Sequence, residues 1–400
     1  MFPPEIITDI LSRLPVKSLF RFRCASRLWC SIIDGQDFVK MHLHQSVSTN
    51  SNHSLILGGL GLYSVDLESL DKVHVLKPPF YYRKADGISN SCNGLILVTS
   101  EPPVLWNPFS RKYKTLPDAP FKNPTSLLCF AKVIYGLGYD SRNYDYKVVQ
   151  VVEFRNEESH VWEYSETRIY SLKSNSWHRV EGFPYPLPFL KGSWGVHVNG
   201  ALHTLVEDFF HVYSDNSIRI MAFSVENENH YELMLPPEIR IKGVNMRLVV
   251  LGGCLCLVCA RKSRANIWVM KEYGVEESWT KLISIGSPMT EPDDILKPLT
   301  YLKPLVYSKN GENVLLNCNE KRLVWYDLRR KTITNVSVSG LPFVLYPEVC
   351  VETLVSPGGP ALEKGDGVKK QEKNGQEKWK GKKTKKNRDD FLSERFKLVL

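Results

Sequence analysis

Cys254, Cys256 and Cys259 are the tightest grouping of metal-ligating or redox-active side chains in the sequence. Thiolates at such spacing can hold zinc when a second Cys or His pair completes the set. No second pair sits at ligand spacing, and the three lie within the apolar run from Leu248 to Ala260. They are expected to be buried core thiols, not ligands. His42-x-His44 reads as a surface pair at a helix end. There is no P-loop, no G-x-G-x-x-G after a strand, no G-x-S-x-G and no H-E-x-x-H. Gly58-Gly59-Leu60-Gly61 is read as a turn, because no helical pattern follows it to cradle a phosphate. The expectation is a chain with no catalytic residue, metal or cofactor, whose chemistry is recognition.

Elements that present a recognition surface must then carry the function. The 400 residues are enough for two or three domains, and 43% hydrophobic with 24% charged residues is ordinary for a folded chain. No stretch approaches the ~18 apolar residues of a membrane span. Glu5 and Asp9 near the start argue against a secretory or transit peptide. Nine scattered cysteines fit free thiols in a reducing compartment. The expected residence is nucleus and cytoplasm.

The net charge of +9 is unevenly placed. Residues 361–400 hold 13 Lys/Arg against 7 Asp/Glu, which leaves only +3 for the rest. The folded part therefore lacks a nucleic-acid signature, and no membrane partner is expected. Between Glu363 and Arg388 the only large apolar residues are Val368 and Trp379, so this stretch is expected to be disordered. Lys382, Lys383, Lys385 and Lys386 form a candidate nuclear import signal. Phe391 to Leu400 turn apolar again, as a docking segment would.

Ile6, Ile10 and Leu14 repeat at helical spacing, with Ile7 and Leu11 on the adjoining face. Pro3 and Pro4 open this helix and Pro15 stops it. A second helix is expected with Ser18 as cap, and a third through Ala25, Leu28, Trp29, Ile32 and Ile33. Three short helices cannot bury this many apolar positions among themselves, so some should face a partner.

The run Phe2-Pro3-Pro4-Glu5-Ile6-Ile7, then Arg13-Leu14-Pro15-Val16-Lys17-Ser18-Leu19, Arg21-Phe22-Arg23-Cys24, Ser26-Arg27 and Trp29, resembles an F-box. It departs from the family pattern at Phe2 (usually Leu), Ala25 (usually Val) and Arg27 (usually Lys). The resemblance implies binding to the Skp-type adaptor of a Skp–cullin–F-box ubiquitin ligase, and through it to cullin. The residues it would use are Phe2, Pro3, Ile6, Ile10, Leu14, Pro15, Leu19, Cys24 and Trp29.

From Leu55 to about Val355 short apolar runs alternate with turn residues, the pattern of many short strands. One unit recurs near residues 64, 105, 170, 222, 268 and 325. Its mean spacing is close to the ~50 residues of a kelch-type repeat. Asn93-Gly94, Asn199-Gly200 and Asn310-Gly311 are tight-turn signals. The prediction is a β-propeller of about six four-stranded blades, with a β-sandwich pair as the alternative.

Cys92-Asn93-Gly94-Leu95, Trp106-Asn107-Pro108-Phe109-Ser110-Arg111 and Tyr135 to Asp140 resemble the F-box-associated domain of plant F-box proteins, which is related to kelch repeats. So do Asp145 to Val149, Ser176-Trp177, Val269 to Tyr273 and Ser278 to Lys281. The fold expected is mainly β with a small α N-terminal domain. The domains are 1–45, a three-helix F-box; 46–356, the propeller; and 357–400, the basic disordered tail. The layout, with Arg388 to Ser393 and Phe396 to Leu400, resembles plant F-box proteins that restrain defence. It implies nucleotide-binding leucine-rich-repeat immune receptors as the substrate class. Two further readings are a propeller enzyme with a helical cap and a non-degradative scaffold.

Overall fold

The computed structural model describes residues 3–49, 51–59, 61–83, 86–120, 128–159, 161–187, 195–207, 218–239, 244–261, 264–286, 301–343 and 345–358. Residues 1–360 form one compact unit. Residues 361–400 are a separate unit outside the described residues, and the four candidate import lysines lie there.

The helices are α1 (Pro4–Ser12), α2 (Val16–Ala25), α3 (Arg27–Asp34) and α4 (Gln36–Ser48). Pro4 starts α1, where a missing N–H costs nothing. Pro15, not Ser18, stands at the N-cap of α2, and its carbonyl accepts from Ser18 N at 2.9 Å and Leu19 N at 3.1 Å. The fourth helix goes beyond the three read from sequence. It forms because Phe38 and His42 lie one turn apart and both are buried. His42 is therefore not the surface residue expected. It is fully buried, stacks on Phe38 with centroids 6.2 Å apart, and sets Nε2 2.9 Å from the Leu14 carbonyl.

Six four-stranded antiparallel sheets follow, which excludes the sandwich pair. Blade 1 holds β1 (His53–Gly58), β2 (Leu62–Asp66) and β3 (Val73–Leu76). Blade 2 holds β4 (Ile88–Cys92), β5 (Leu95–Val98), β6 (Val104–Trp106) and β7 (Tyr113–Thr115). Blade 3 holds β8 (Leu128–Asp140), β9 (Asp145–Asn156), β10 (Trp162–Ser171) and β11 (Ser176–Val180). Blade 4 holds β12 (Val196–Val198), β13 (Ala201–Glu207), β14 (Ile218–Ser224) and β15 (His230–Leu233). Blade 5 holds β16 (Asn245–Leu251), β17 (Cys254–Arg261), β18 (Arg264–Met270) and β19 (Trp279–Ile285). Blade 6 holds β20 (Leu302–Tyr307), β21 (Asn313–Cys318), β22 (Arg322–Asp327) and β23 (Ile333–Asn335).

The last strand, β24 (Tyr346–Val351), returns to blade 1 and pairs with β1, His53 opposite Val351 and Gly58 opposite Tyr346. The ring is thus closed by a strand from the far end of the domain, which removes the free edge of β1. Every recurrent unit read from sequence falls on the third strand of a blade: β2, β6, β10, β14, β18 and β22. The uneven spacing comes largely from blade 3, where β8 and β9 run for 13 and 12 residues.

Burial follows position in the blade. The second strands are covered on both faces by neighbouring blades, so Leu95-Ile96-Leu97-Val98 is buried throughout. The outermost strands β7 and β23 carry exposed polar residues instead. Asn93 and Gly94 turn β4 into β5 with φ of 50° and 82°. A Cβ at position 94 would collide with Thr353 Oγ1 and lie 2.7 Å from the Val351 carbonyl, so the turn also needs glycine for space.

Candidate functional site

The helices sit on the propeller face that carries the β4–β5, β6–β7 and β8–β9 turns. Leu354, just past the closing strand, and Phe109, in the β6–β7 turn, join the core made by Leu11, Val16, Leu19, Ile33 and Phe38. Val39 and Leu43 of α4 in turn reach the apolar cluster of blades 2 and 3. Lys40 Nζ lies 5.1 Å from the centre of the Tyr144 ring. The small helical unit thus completes its core with propeller residues, which answers its shortage of apolar area.

Above that core the sequence-derived contact residues separate into three groups. Pro3, Ile6, Ile10, Pro15 and Cys24 are exposed, with Ile6 at 46% and Ile10 at 52%. Leu14 and Trp29 are half-buried. Leu19 is fully buried, so it supports the surface from beneath and presents nothing. Phe2 lies outside the described residues.

Ile6 and Ile10 stand one turn apart on α1 and form an apolar stripe that nothing in the chain covers among the described residues. Phe22 meets Trp29 edge-on at 5.4 Å and stays 36% exposed, and Leu28 is 40% exposed. The sequence reading gave Leu28 as part of the third helical pattern and expected some of the apolar positions to face a partner, without saying which. Helical spacing alone does not say which side of a short helix is left open. Arg23 and Asp34 form a two-pronged pair at 2.7 Å that ties α2 to α3. The hydrogen bond from Arg23 holds the Asp34 carboxyl below the usual carboxylate range.

The thiols of β17 and Cys92 lie in the apolar clusters of the propeller. On β17, Cys254 and Cys256 face the cluster between blades 5 and 6, whereas Cys259 faces blade 4. Side chains on opposite faces of one strand cannot converge on one ion. Burial pushes the Cys256 and Cys259 thiols up to about 12. Cys92 Sγ lies 3.8 Å from His197 Nδ1. Burial raises that thiol to about 12 and lowers that imidazole to about 4, so both groups are neutral. A nucleophilic thiolate beside an imidazolium requires the opposite shifts.

One lysine is buried with full compensation. Lys147 Nζ meets Asp140 Oδ2 at 2.8 Å, Glu228 Oε1 at 2.9 Å and the Val225 carbonyl at 2.9 Å. Glu228 also meets His178 Nε2 at 2.7 Å, and the group links blade 3 to blade 4. Its role is to join blades. On the face away from the helices the first strands of the blades begin.

A family model described as an F-box domain matches residues 1–41, and one described as an F-box associated beta propeller domain matches residues 59–353. F-box protein CPR1 of Arabidopsis thaliana is 35% identical, over 100% of this chain and 99% of that protein. A second F-box protein of the same plant is 30% identical, also over 100% and 99%. Among solved structures, an oligogalacturonate lyase aligns over 72% of this chain and 74% of its own with a TM-score of 0.40 and 12% identity, which bears on no functional question. Helices with an open apolar stripe, seated on a six-bladed ring and matched from end to end by such relatives, identify the chain as a member of the F-box proteins with an F-box-associated β-propeller domain.

Proposed function

We propose that the chain is the substrate-recognition subunit of a Skp–cullin–F-box ubiquitin ligase. The observation that carries this reading is the uncovered stripe of Ile6 and Ile10 beside the exposed Pro3 and Pro15. Such a stripe fits a groove between adaptor helices. The helices hold the adaptor, the propeller holds a protein substrate, and ubiquitin transfer follows from proximity. No side chain of this subunit takes part in bond making.

The similarity to F-box protein CPR1, together with the layout of the C-terminal residues, supports a narrower reading. In it the substrates are nucleotide-binding leucine-rich-repeat immune receptors, and their removal restrains plant defence. Lys382, Lys383, Lys385 and Lys386 then act as an import signal for a protein that resides in nucleus and cytoplasm.

The test is affinity purification of the intact chain and of an Ile6→Asp/Ile10→Asp variant, with the proteasome inhibited. The expected result is loss of adaptor and cullin from the variant while another protein stays bound and accumulates. An intact chain that captures no adaptor overturns the reading. For residence, a fluorescent fusion with the four lysines changed to alanine should leave the nucleus, and unchanged nuclear signal removes the import assignment.

A further inference from the structure

Three segments meet on the propeller face away from the helices. They are Tyr301 just before β20, the β21–β22 turn at Asn319 to Lys321, and Phe343, Leu345 and Tyr346 at the entry to β24. Backbone bonds join them: Asn319 N to the Tyr301 carbonyl at 2.9 Å, and Leu345 N to the Glu320 carbonyl at 2.6 Å. The resulting surface shows large apolar groups that no packing requires. Phe343 is 79% exposed and Tyr346 53%.

Cations lie on these rings without carboxylate partners among the described residues. Lys321 Nζ sits 5.0 Å from the centre of the Phe343 ring. Arg247 Cζ sits 4.4 Å from that of Tyr301. Neither makes a salt bridge among the described residues. The nearby Lys303 is different, because Glu348 Oε2 at 2.9 Å and the Pro347 carbonyl at 2.7 Å already satisfy it. Glu320 is the carboxylate beside Tyr346 and raises that phenol. Among the described residues, the Arg247 and Lys321 charges against the one Glu320 leave this patch net positive. Exposed aromatics with an uncommitted arginine are the composition of an interface hot spot. A half-exposed guanidinium with no carboxylate partner among the described residues is suited to a two-pronged bond with a carboxylate.

We infer that Arg247, Tyr301, Lys321, Phe343 and Tyr346 form a docking surface for an acidic segment of a partner protein that carries an apolar anchor. The anchor lies on Phe343 and Tyr346, and a carboxylate meets Arg247. The inference deepens the proposed role of the propeller as substrate holder and rests on it. It places that contact on the blades 5, 6 and 1, away from the helices.

The experiment uses the full chain in 0.15 M salt and three fluorescein-labelled heptapeptides with Leu and Phe at fixed positions. The remaining five positions are Glu, Gln or Lys. Fluorescence anisotropy should give at least tenfold tighter binding of the Glu peptide than of either other peptide. Arg247→Glu and Phe343→Ala should each weaken it by at least tenfold. The basic tail is present in every variant, so it cannot produce that difference. Equal binding of Glu and Gln peptides, equal binding by wild type and Arg247→Glu, or no saturable binding at all overturns the inference. Adaptor capture is measured on the same preparations. Its retention in Arg247→Glu and Phe343→Ala reports that the variants are folded, and its absence in wild type counts against the ligase reading while the peptide result stands by itself.

Discussion

Asn107 Nδ2 donates to the carbonyl of Val355 at 2.8 Å, across 248 residues of sequence. The same amide donates to the Thr353 carbonyl at 3.0 Å, and its oxygen accepts from Phe109 N at 2.9 Å and Ser110 N at 3.1 Å. One fully buried side chain therefore spends its whole hydrogen-bonding capacity on the β6–β7 turn and the segment after the closing strand. Between its two acceptor carbonyls lies Leu354, which enters the core of the helical unit. Ring closure and the seating of the F-box thus depend on the same few residues.

Asn107→Leu leaves two buried carbonyls, of Thr353 and Val355, and two part-buried amides, of Phe109 and Ser110, without partners. At about 1–3 kcal/mol for each unsatisfied group, the expected loss is at least 3 kcal/mol. Urea unfolding followed by Trp fluorescence measures it, and a loss under 1 kcal/mol would show that water replaces the amide.

Leu354→Ala opens a cavity in the helical core while leaving β24 intact. The expected cost is about 2–4 kcal/mol. Adaptor capture should fall with it, although Leu354 lies more than 300 residues from α1 in sequence. Hydrogen exchange should locate the loosening in α1 to α4. Protection unchanged there, with faster exchange in blade 1 alone, refutes the shared core.

Leu19→Ala and Ile6→Asp separate support from contact. Leu19 is fully buried, so its truncation should cost about 2–5 kcal/mol and remove adaptor binding through unfolding. Ile6 is 46% exposed, so its change should move stability by no more than about 0.5 kcal/mol while weakening adaptor binding at least tenfold. The two unfolding curves and one titration decide the matter. Equal stability losses contradict the assignment.

Burial holds the His197, His203 and His230 imidazoles down at about 4. His203 is moreover fixed by the Tyr273 hydroxyl at 2.6 Å, which meets Tyr231 at 2.6 Å. In the unfolded chain these groups titrate near 6.5. Below that pH the unfolded state takes up protons that the folded state refuses. Stability is therefore full above about pH 6.5 and falls as the pH drops toward 4, by up to about 1.4 kcal/mol per histidine per pH unit. Unfolding free energies at pH 7.5, 6 and 5 test this, and a flat profile means the rings take protons in the folded state.

Much of this architecture was legible in residue order. Helical spacing of Ile6, Ile10 and Leu14 marks α1, and the recurrent apolar units mark the third strand of every blade, because period and turn chemistry are local properties. Asn93-Gly94 and Asn199-Gly200 form the tight turns that such dipeptides favour, since both residues take positive φ there. The F-box pattern also marked the segment that carries α1 and α2. It did not separate Leu19, which is buried, from Ile6, which is open, because a short helix reads the same whichever side meets a neighbour.

Other features were decided only by the tertiary structure. His42 became a core residue when α4 turned it toward Leu14. Tyr346 to Val351 became the closing strand because β1 offered an unpaired edge. Leu354 and Phe109 completed a core begun 300 and 100 residues earlier, and Arg247 came to rest on Tyr301 because their blades are neighbours. The sequence by itself determined the first three helices and the recurrent third strands, since those depend on periodicity within a few residues. Which faces are covered, and by what, was set by the closed ring, since burial is a property of neighbours that chain order does not name.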